Sequence, residues 1–142
     1  MIVMISACLI GINCRYDGKS SRNTRLMDLL KGFIVVPFCP EQLGGLSTPR
    51  PRSEIRGEKV VNEFGEDVTS YFLKGANEAL KIAKKISPDI IILKSRSPSC
   101  GKGRIYDGSF HNKLVEGSGV TCSILTRNGF KVLSDEEFCS LF

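Results

Sequence analysis

The chain is organised around residues 90–103, IIILKSRSPSCGKG, in which an apolar run is followed at once by polar and reactive side chains. The uninterrupted apolar run 90–93 is typical of a strand that is buried on both faces of a parallel sheet. Pro98 stiffens the turn that follows, and two glycines give its backbone freedom. A thiol at Cys100 and a hydroxyl at Ser97, directly after a buried strand, indicate a functional site rather than a simple connection.

Two other apolar runs also end at a cysteine. Residues 1–7 lead to Cys8, and residues 33–38 lead to Cys39. The carboxyl ends of parallel strands lie along one edge of a sheet, and ligands of α/β folds bind at that edge, where the strand order reverses. We therefore expect Cys8, Cys39 and Cys100 to converge, although they are distant in sequence.

Helical patterns fill the segments between these strands. Four helices are predicted: one over 24–31 capped by Asn23, one over 68–86, one from 119 to about 127, and a short capped one from Ser134. A further strand is predicted over 130–133. Strands that alternate with helices predict an α/β fold, a Rossmann-like or flavodoxin-like layered fold with a mostly parallel central sheet of about four to five strands. We expect a single domain over residues 1–142.

The segment after the second strand is harder to assign. Pro37 predicts that ladder pairing ends near that residue, since proline cannot donate a backbone hydrogen bond. Residues 39–52 contain so much Pro and Gly that the pattern predicts a long loop without regular structure, and such loops are often functional. Residues 53–61 predict a small hairpin.

Composition limits the class of protein. The chain has 142 residues, of which 42% are hydrophobic and 25% charged, as in an ordinary globular domain. No apolar run approaches the roughly 18 residues of a membrane span, and the N-terminus lacks the basic and long apolar regions of a signal peptide. We expect a cytoplasmic protein with no membrane partner. The net charge of +5 permits attraction to an anionic substrate or to RNA.

The six cysteines are therefore expected to be reduced rather than paired in disulfides. Cys122 and Cys139 occupy apolar positions of predicted helices, which favours inert packing. The other four lie in turns rich in Gly, Pro and Asn: Cys8, Cys14, Cys39 and Cys100. Several thiolates at one sheet edge favour a soft-metal centre, for which zinc and an iron–sulfur cluster both fit. A redox thiol site and inert buried thiols are the alternatives.

Other side chains near these turns are candidates for catalysis or substrate binding. Glu41 is a candidate general acid or base, and Ser97 is a candidate hydrogen-bond donor or proton shuttle. The candidates for substrate binding are basic or aromatic: Arg15, Tyr16, Arg50, Lys94, Arg96 and Tyr106. The cations would bind an anionic group and the tyrosines would stack on a base. A solvated surface charge, or packing in the core, is the alternative for each of them.

Four blocks of this sequence together resemble the signatures of the TudS-like thiouracil desulfidase family. The blocks are SACLIGINCRYDG at 6–18, CPEQLGG at 39–45, KSRSPSCG at 94–101, and IYDG at 105–108 with GVT at 119–121. The resemblance covers essentially the whole chain, and the blocks are specific when taken together.

The resemblance implies an oxygen-sensitive [4Fe–4S] cluster, held by three cysteines, whose fourth iron is free to take sulfur from a thiolated pyrimidine. It implies that Cys8, Cys39 and Cys100 are the cluster ligands. Cys14 is the alternative third ligand. The resemblance places the catalytic roles on Glu41 and Ser97.

The implied reaction is a non-redox hydrolysis that releases hydrosulfide from a thiolated uracil, nucleoside or nucleotide. We expect a small-molecule substrate in preference to tRNA, and no redox partner. The alternative hypothesis is a non-catalytic module that binds zinc or a cluster and associates with RNA through its positive charge.

Overall fold

The computed structural model describes residues 1–142, which form a layered α/β fold. In chain order the elements are β1 (Ile2–Ser6), a 3-10 helix (Ala7–Ile10), α1 (Thr24–Leu29), β2 (Ile34–Phe38), α2 (Pro40–Leu43), β3 (Ser53–Arg56), β4 (Lys59–Asn62), α3 (Thr69–Ile86), β5 (Ile90–Leu93), β6 (Arg104–Tyr106), β7 (Leu114–Glu116), α4 (Val120–Arg127), β8 (Val132–Ser134) and α5 (Asp135–Ser140). The central sheet has the order β2-β1-β5-β8, and its strands are all parallel. This confirms the predicted fold class, and the strand order reverses at β1.

The two faces of the sheet are covered by different helices. Val3 and Ile5 of β1 pack in one cluster with Phe138 of α5 and residues of α1. Met4, which points to the opposite face, packs with Ala79 of α3 and residues of α4. This alternation follows from the two-residue period of a strand, and residues 3–6 of β1 are buried because both faces are covered.

Several predicted termini are confirmed by their caps. The backbone N–H of Leu26 donates to Oδ1 of Asn23 at 3.0 Å, at the start of α1. Ser134 and Glu137 form a reciprocal capping box at the start of α5. These caps depend on side chains only three residues apart, which explains why the sequence predicts them.

The prediction that ladder pairing ends near Pro37 is confirmed, because Pro37 pairs with Ile5 and β2 ends at the next residue, Phe38. β2 is an edge strand, and an edge strand tolerates the missing N–H. The prediction that residues 39–52 lack regular structure is wrong, since α2 forms in this segment with Pro40 in the first turn, where proline has no N–H bond to lose. The hairpin of β3 and β4 was predicted, whereas the shorter one of β6 and β7 was not.

Close backbone contact fixes α2 against α3. A Cβ atom at Gly75 would lie 1.9 Å from the carbonyl oxygen of Pro40, and one at Gly44 would lie 2.0 Å from that of Tyr71. Only glycine permits this approach at both positions. The contact holds the first turn of α2, which carries Glu41, rigidly beside the longest helix of the protein.

That longest helix, α3, is amphipathic. Its buried side includes Phe72, Ala76 and Ala79, and basic residues lie in its last turn. None of the helices combines the length and the apolar character that crossing a membrane would require.

Candidate active site

A cavity of about 230 Å³ opens at the carboxyl ends of β1, β2 and β5, beside the reversal of strand order. All the site residues predicted from sequence line it: Cys8, Cys14, Arg15, Tyr16, Cys39, Glu41, Arg50, Lys94, Arg96, Ser97, Cys100 and Tyr106. The predicted convergence of the three strand ends is therefore what the structure shows.

Four thiols surround this cavity. Cys8 lies in the 3-10 helix after β1, Cys39 precedes α2, and Cys100 lies in the turn after β5. The thiols of Cys8 and Cys39 are near enough to that of Cys14 to affect its pKa. The Cys39 thiol also lies 3.8 Å from the carbonyl oxygen of Cys14, to which it donates.

The environment of three of these thiols, those of Cys14, Cys39 and Cys100, favours the protonated form. Burial raises the pKa of Cys100 to about 12. The contact with Cys39 favours the Cys14 thiolate, but the contact with Cys8 and burial outweigh it and raise the pKa of Cys14 to about 11. The contact with Cys14, followed by burial, raises the pKa of Cys39 far above its ordinary value. Because metals bind thiolates, metal binding here would release protons.

The thiols do not converge on a single point. No three His, Cys, Asp or Glu side chains are arranged to hold one metal ion. Cys100 accepts from the Ser6 hydroxyl at 3.3 Å. The remaining two cysteines lie outside the cavity and pack with the hydrophobic core.

Glu41 is held by a buried guanidinium. Nε of Arg50 donates to Oε1 of Glu41 at 2.9 Å. The other nitrogens of Arg50 donate to the Ser47 carbonyl at 3.2 Å, to Oγ1 of Thr48 at 2.9 Å and to the Cys14 carbonyl at 2.9 Å. Arg50 therefore joins Glu41 to the loop that carries Cys14, and most of its donors already have protein partners.

A chain of two hydroxyls leads to the other oxygen of Glu41. Oγ of Ser97 lies 2.9 Å from Oγ of Ser99, and the Ser99 hydroxyl donates to Oε2 of Glu41 at 3.0 Å. Ser99 was not predicted from the sequence. It is one of several serines near Cys100, and no local pattern distinguishes it, because its partner Glu41 lies 58 residues away.

The turn that carries Ser99 and Cys100 is anchored by α4. The N–H groups of Val120 and Thr121 donate to the carbonyls of Pro98 and Ser99, both at 2.9 Å. α4 has no side-chain cap, so the turn satisfies its first donors instead. A Cβ atom at Gly119 would lie 2.4 Å from the carbonyl carbon of Ser99, which accounts for glycine there.

The basic side chains of the cavity differ in their partners. Four form ion pairs: Arg15 with Asp17 at 3.5 Å, Arg50 with Glu41 at 2.9 Å, Arg52 with Glu54 at 3.3 Å and Arg96 with Glu136 at 2.9 Å. Lys94 has no carboxylate partner, and its ammonium donates only to the carbonyl of Ser95 at 3.4 Å. Lys94 is therefore the uncompensated positive charge of the cavity.

A buried carboxylate supports the aromatic side of the cavity. Glu54 is 1% exposed, and its Oε1 accepts from the N–H groups of Gly108 at 3.0 Å and Phe110 at 3.1 Å. These bonds hold the turn directly after Tyr106. The Arg15 guanidinium, which also lines the cavity, lies 5.7 Å from the ring centroid of Tyr16.

Comparison with known proteins places the chain in a family. Its sequence matches the model of the 2-thiouracil desulfurase family over residues 3–137. The chain belongs to this family. A relative from Bacillus subtilis, the uncharacterized protein YbbK, is 42% identical over an alignment of 146 residues that covers 96% of this chain and 97% of YbbK. A solved structure named [4Fe-4S]-dependent thiouracil desulfidase TudS is 43% identical, with a TM-score of 0.90, and the match covers 98% of this chain and 93% of that one.

This membership of the 2-thiouracil desulfurase family confirms the resemblance in the sequence blocks. The cavity of this family member combines two sets of groups. Soft thiol ligands come from the loops after β1, β2 and β5, and a carboxylate–hydroxyl chain lies beside Cys100. The first set suits metal binding and the second suits proton transfer.

Proposed function

We propose that this protein hydrolyses the C–S bond of a thiolated uracil, with a [4Fe–4S] cluster bound in the cavity and hydrosulfide as a product. The observation that carries the proposal is the meeting of four thiols and the Glu41–Arg50 pair in one cavity of a 2-thiouracil desulfurase family member. The likeness to TudS, at 43% identity over nearly the whole chain, supports both the cofactor and the substrate.

The donor set fits an iron–sulfur cluster. Cluster irons are held by cysteine thiolates, and thiols are the main metal-ligating groups of this cavity. We propose Cys8, Cys39 and Cys100 as ligands, since each lies in the segment that follows a parallel strand of the sheet, with Cys14 as the alternative third ligand. When bound, the cluster supplies an open iron that acts as Lewis acid and sulfur acceptor.

Side chains of the protein orient the attacking water and accept its proton. Glu41 accepts a proton from the attacking water, and the Ser97–Ser99 hydroxyls form the hydrogen-bonded path beside it. Arg50 keeps the Glu41 carboxylate in one orientation. The net reaction converts a thiocarbonyl and water into a carbonyl, hydrosulfide and a proton. No electrons are exchanged, so no redox partner is needed.

The dimensions and charges of the cavity favour a small substrate over tRNA. Its volume of about 230 Å³ is below the roughly 300 Å³ at which drug-sized pockets begin, and the cofactor must share it. We propose that Tyr16 and Tyr106 flank the pyrimidine ring and that Arg15 and Arg96 lie at the rim. Lys94 supplies positive charge to the part of the substrate that becomes anionic.

We also propose the cytoplasm as the location of this protein. All six cysteines are free, and the reducing conditions of that compartment preserve free thiols.

The experiment that tests the function is anaerobic reconstitution with iron and sulfide, followed by incubation with 2-thiouracil. We expect brown protein that contains iron and that releases sulfide and uracil in equal amounts. Loaded protein that leaves 2-thiouracil, thiouridine and its nucleotide unchanged would contradict the proposal. Colourless protein with stoichiometric zinc would support the alternative of a binding module.

A set of single alanine variants tests the ligands separately. We expect Cys8→Ala, Cys39→Ala and Cys100→Ala to lose iron and Cys14→Ala to retain it. Cys122→Ala is the matched control, because that thiol is buried outside the cavity. If Cys14→Ala loses iron while one of the first three retains it, the ligand role moves to Cys14.

A further inference from the structure

We propose that the Ser6 hydroxyl stabilises and tunes the cluster through a hydrogen bond to the sulfur of Cys100, one of the proposed ligands. This inference rests on the proposed function and deepens it. Ser6 is the last residue of β1, is 3% exposed and lines the cavity. Because it acts through Cys100 and not on the substrate, it is a positioning residue.

Both partners of the Ser6 hydroxyl lie in the segment that follows β5. Oγ of Ser6 accepts from the backbone N–H of Lys94 at 3.0 Å and donates to Sγ of Cys100 at 3.3 Å. The last pair of β1 with β5 is Ile5 with Ile92, so the Ser6 side chain continues the contact between the two strands beyond their ladder. The bond from Lys94 occupies an acceptor position of Oγ and leaves the single hydroxyl proton for the sulfur.

Metal binding at Cys100 fixes the direction of this bond. A free thiol can donate or accept a hydrogen bond, whereas a sulfur bound to iron has lost its proton and can only accept. The Ser6 hydroxyl must then be the donor. A hydrogen bond to an ionised acceptor is roughly twice as strong as one between neutral groups, so this bond strengthens when the cluster is bound.

No other hydroxyl offers its proton to the same sulfur. Oγ of Ser99 lies 3.6 Å from Sγ of Cys100, but its proton is donated to the Glu41 carboxylate at 3.0 Å, a shorter bond to a charged oxygen. The Cys39 thiol, a second proposed ligand, donates to a backbone carbonyl at 3.8 Å, and that bond ends when the thiol loses its proton. The hydroxyl available to stabilise a ligand sulfur is therefore that of Ser6.

A hydrogen bond to a ligand sulfur draws electron density away from the iron. Such bonds orient the ligands of a metal site and help to set the reduction potential of iron–sulfur clusters. With less electron density from Cys100, the reduced form is stabilised and the open iron is a stronger Lewis acid. Loss of the Ser6 hydroxyl should therefore lower the reduction potential, speed the loss of iron and lower kcat.

The bond to Lys94 provides the competing explanation for any effect of Ser6. If Ser6 only positioned the backbone of Lys94, its loss would disturb the ammonium in the cavity and leave the iron–sulfur bonds unchanged. The stretching frequency of the bond between iron and Cys100 separates the two explanations, because it depends on the hydrogen bond at the sulfur. K94Q is the control that removes the ammonium and keeps Ser6.

Three further variants match the change at Ser6. S6T keeps a hydroxyl at the same position. T121V removes a fully buried hydroxyl of α4 that has no hydrogen-bond partner, so it tests the loss of a hydroxyl by itself. C100A removes the sulfur that accepts the bond.

The retention experiment reconstitutes these variants anaerobically and follows the release of iron to a chelator. We expect S6A to bind the cluster, to release its iron about tenfold faster and to lose about tenfold in kcat per bound iron with 2-thiouracil. S6T should recover most of both losses, T121V should match the unmodified protein, and C100A should hold little iron. Release from S6A at the unmodified rate, or full iron in C100A, overturns the inference.

Resonance Raman spectra and a potentiometric titration test the same bond without turnover. In S6A the iron–cysteine stretching band should move to higher frequency and the reduction potential should fall, while K94Q should leave the band unchanged. Transfer of the unmodified protein to heavy water should shift the same band, a measurement that needs no variant. A band that is unchanged in S6A, or in heavy water if S6A does not fold, overturns the inference, as does an equal shift in K94Q. If the loaded unmodified protein releases no sulfide, the proposed function fails, and the band still decides the role of Ser6.

Discussion

Nε of Arg50 lies 2.9 Å from Oε1 of Glu41, and this ion pair is almost shielded from solvent, with the two side chains 4% and 15% exposed. The same guanidinium donates to the Cys14 carbonyl. One side chain thus connects the proposed proton acceptor with a loop of the proposed cluster site. Only arginine has enough donors in a rigid plane for all these bonds.

Replacement of Arg50 by lysine should therefore destabilise the protein although the charge is kept. The guanidinium makes four hydrogen bonds and an ammonium has only three donors on one nitrogen, so R50K loses at least one of them and we expect unfolding to require about 2 kcal/mol less free energy. Urea unfolding of the cluster-free protein measures this value. R96K is the control, since Arg96 is 44% exposed and its pair with Glu136 should contribute less than about 1 kcal/mol. Equal stability of R50K and the unmodified protein would contradict the structural role of Arg50.

Lys94 should contribute to the rate through its uncompensated charge. Sulfur leaves as an anion, and a nearby ammonium without a carboxylate partner stabilises that developing charge. We expect K94Q to lower kcat/KM for 2-thiouracil about tenfold, which corresponds to about 1.4 kcal/mol. K131Q removes the same charge from an exposed lysine outside the cavity and should leave the rate unchanged. Equal effects of the two substitutions would assign the loss to overall charge rather than to Lys94.

Glu54 should control the order of the turn after Tyr106. E54A removes Oε1, the oxygen that accepts from both N–H groups, and also the negative charge opposite Arg52. We expect a loss of about 2–3 kcal/mol in unfolding free energy and faster hydrogen exchange at Gly108 and Phe110. E58A, at an exposed position, should stay within about 0.5 kcal/mol. Unchanged exchange at both amides would refute this role.

Alkaline pH should destabilise the cluster-free protein. In the unfolded chain the thiols ionise near their ordinary value of 9.0, whereas the folded protein raises the pKa of Cys14 to about 11 and that of Cys100 to about 12. Between these values the folded state binds more protons, so stability is complete below about pH 9 and declines as pH rises. We expect Tm to fall between pH 8.5 and about pH 11 and to fall less steeply in C100A. A Tm that is constant over this range in both proteins would show that the buried thiols do not contribute.

Much of the site could be predicted from the sequence because its parts are attached to local signals. Cys8, Cys39 and Cys100 each follow an apolar run, and parallel pairing of those runs is enough to bring their ends together. Caps such as Asn23 and Ser134 involve neighbours three residues away. The short elements were missed because β6, β7 and α2 have only three or four residues, too few to show a period.

The sequence by itself determined the α/β fold, the cysteine-lined edge of the sheet and, through its signature blocks, the family. Only the tertiary structure decided which side chains act together. Arg50 forms a buried ion pair with Glu41, Lys94 has no carboxylate partner, and Ser99 donates a hydrogen bond to Glu41. The physical reason is that hydrophobic periodicity and turn chemistry act over a few residues. Hydrogen bonds and ion pairs join whichever groups the fold places within about 3 Å, regardless of their separation along the chain.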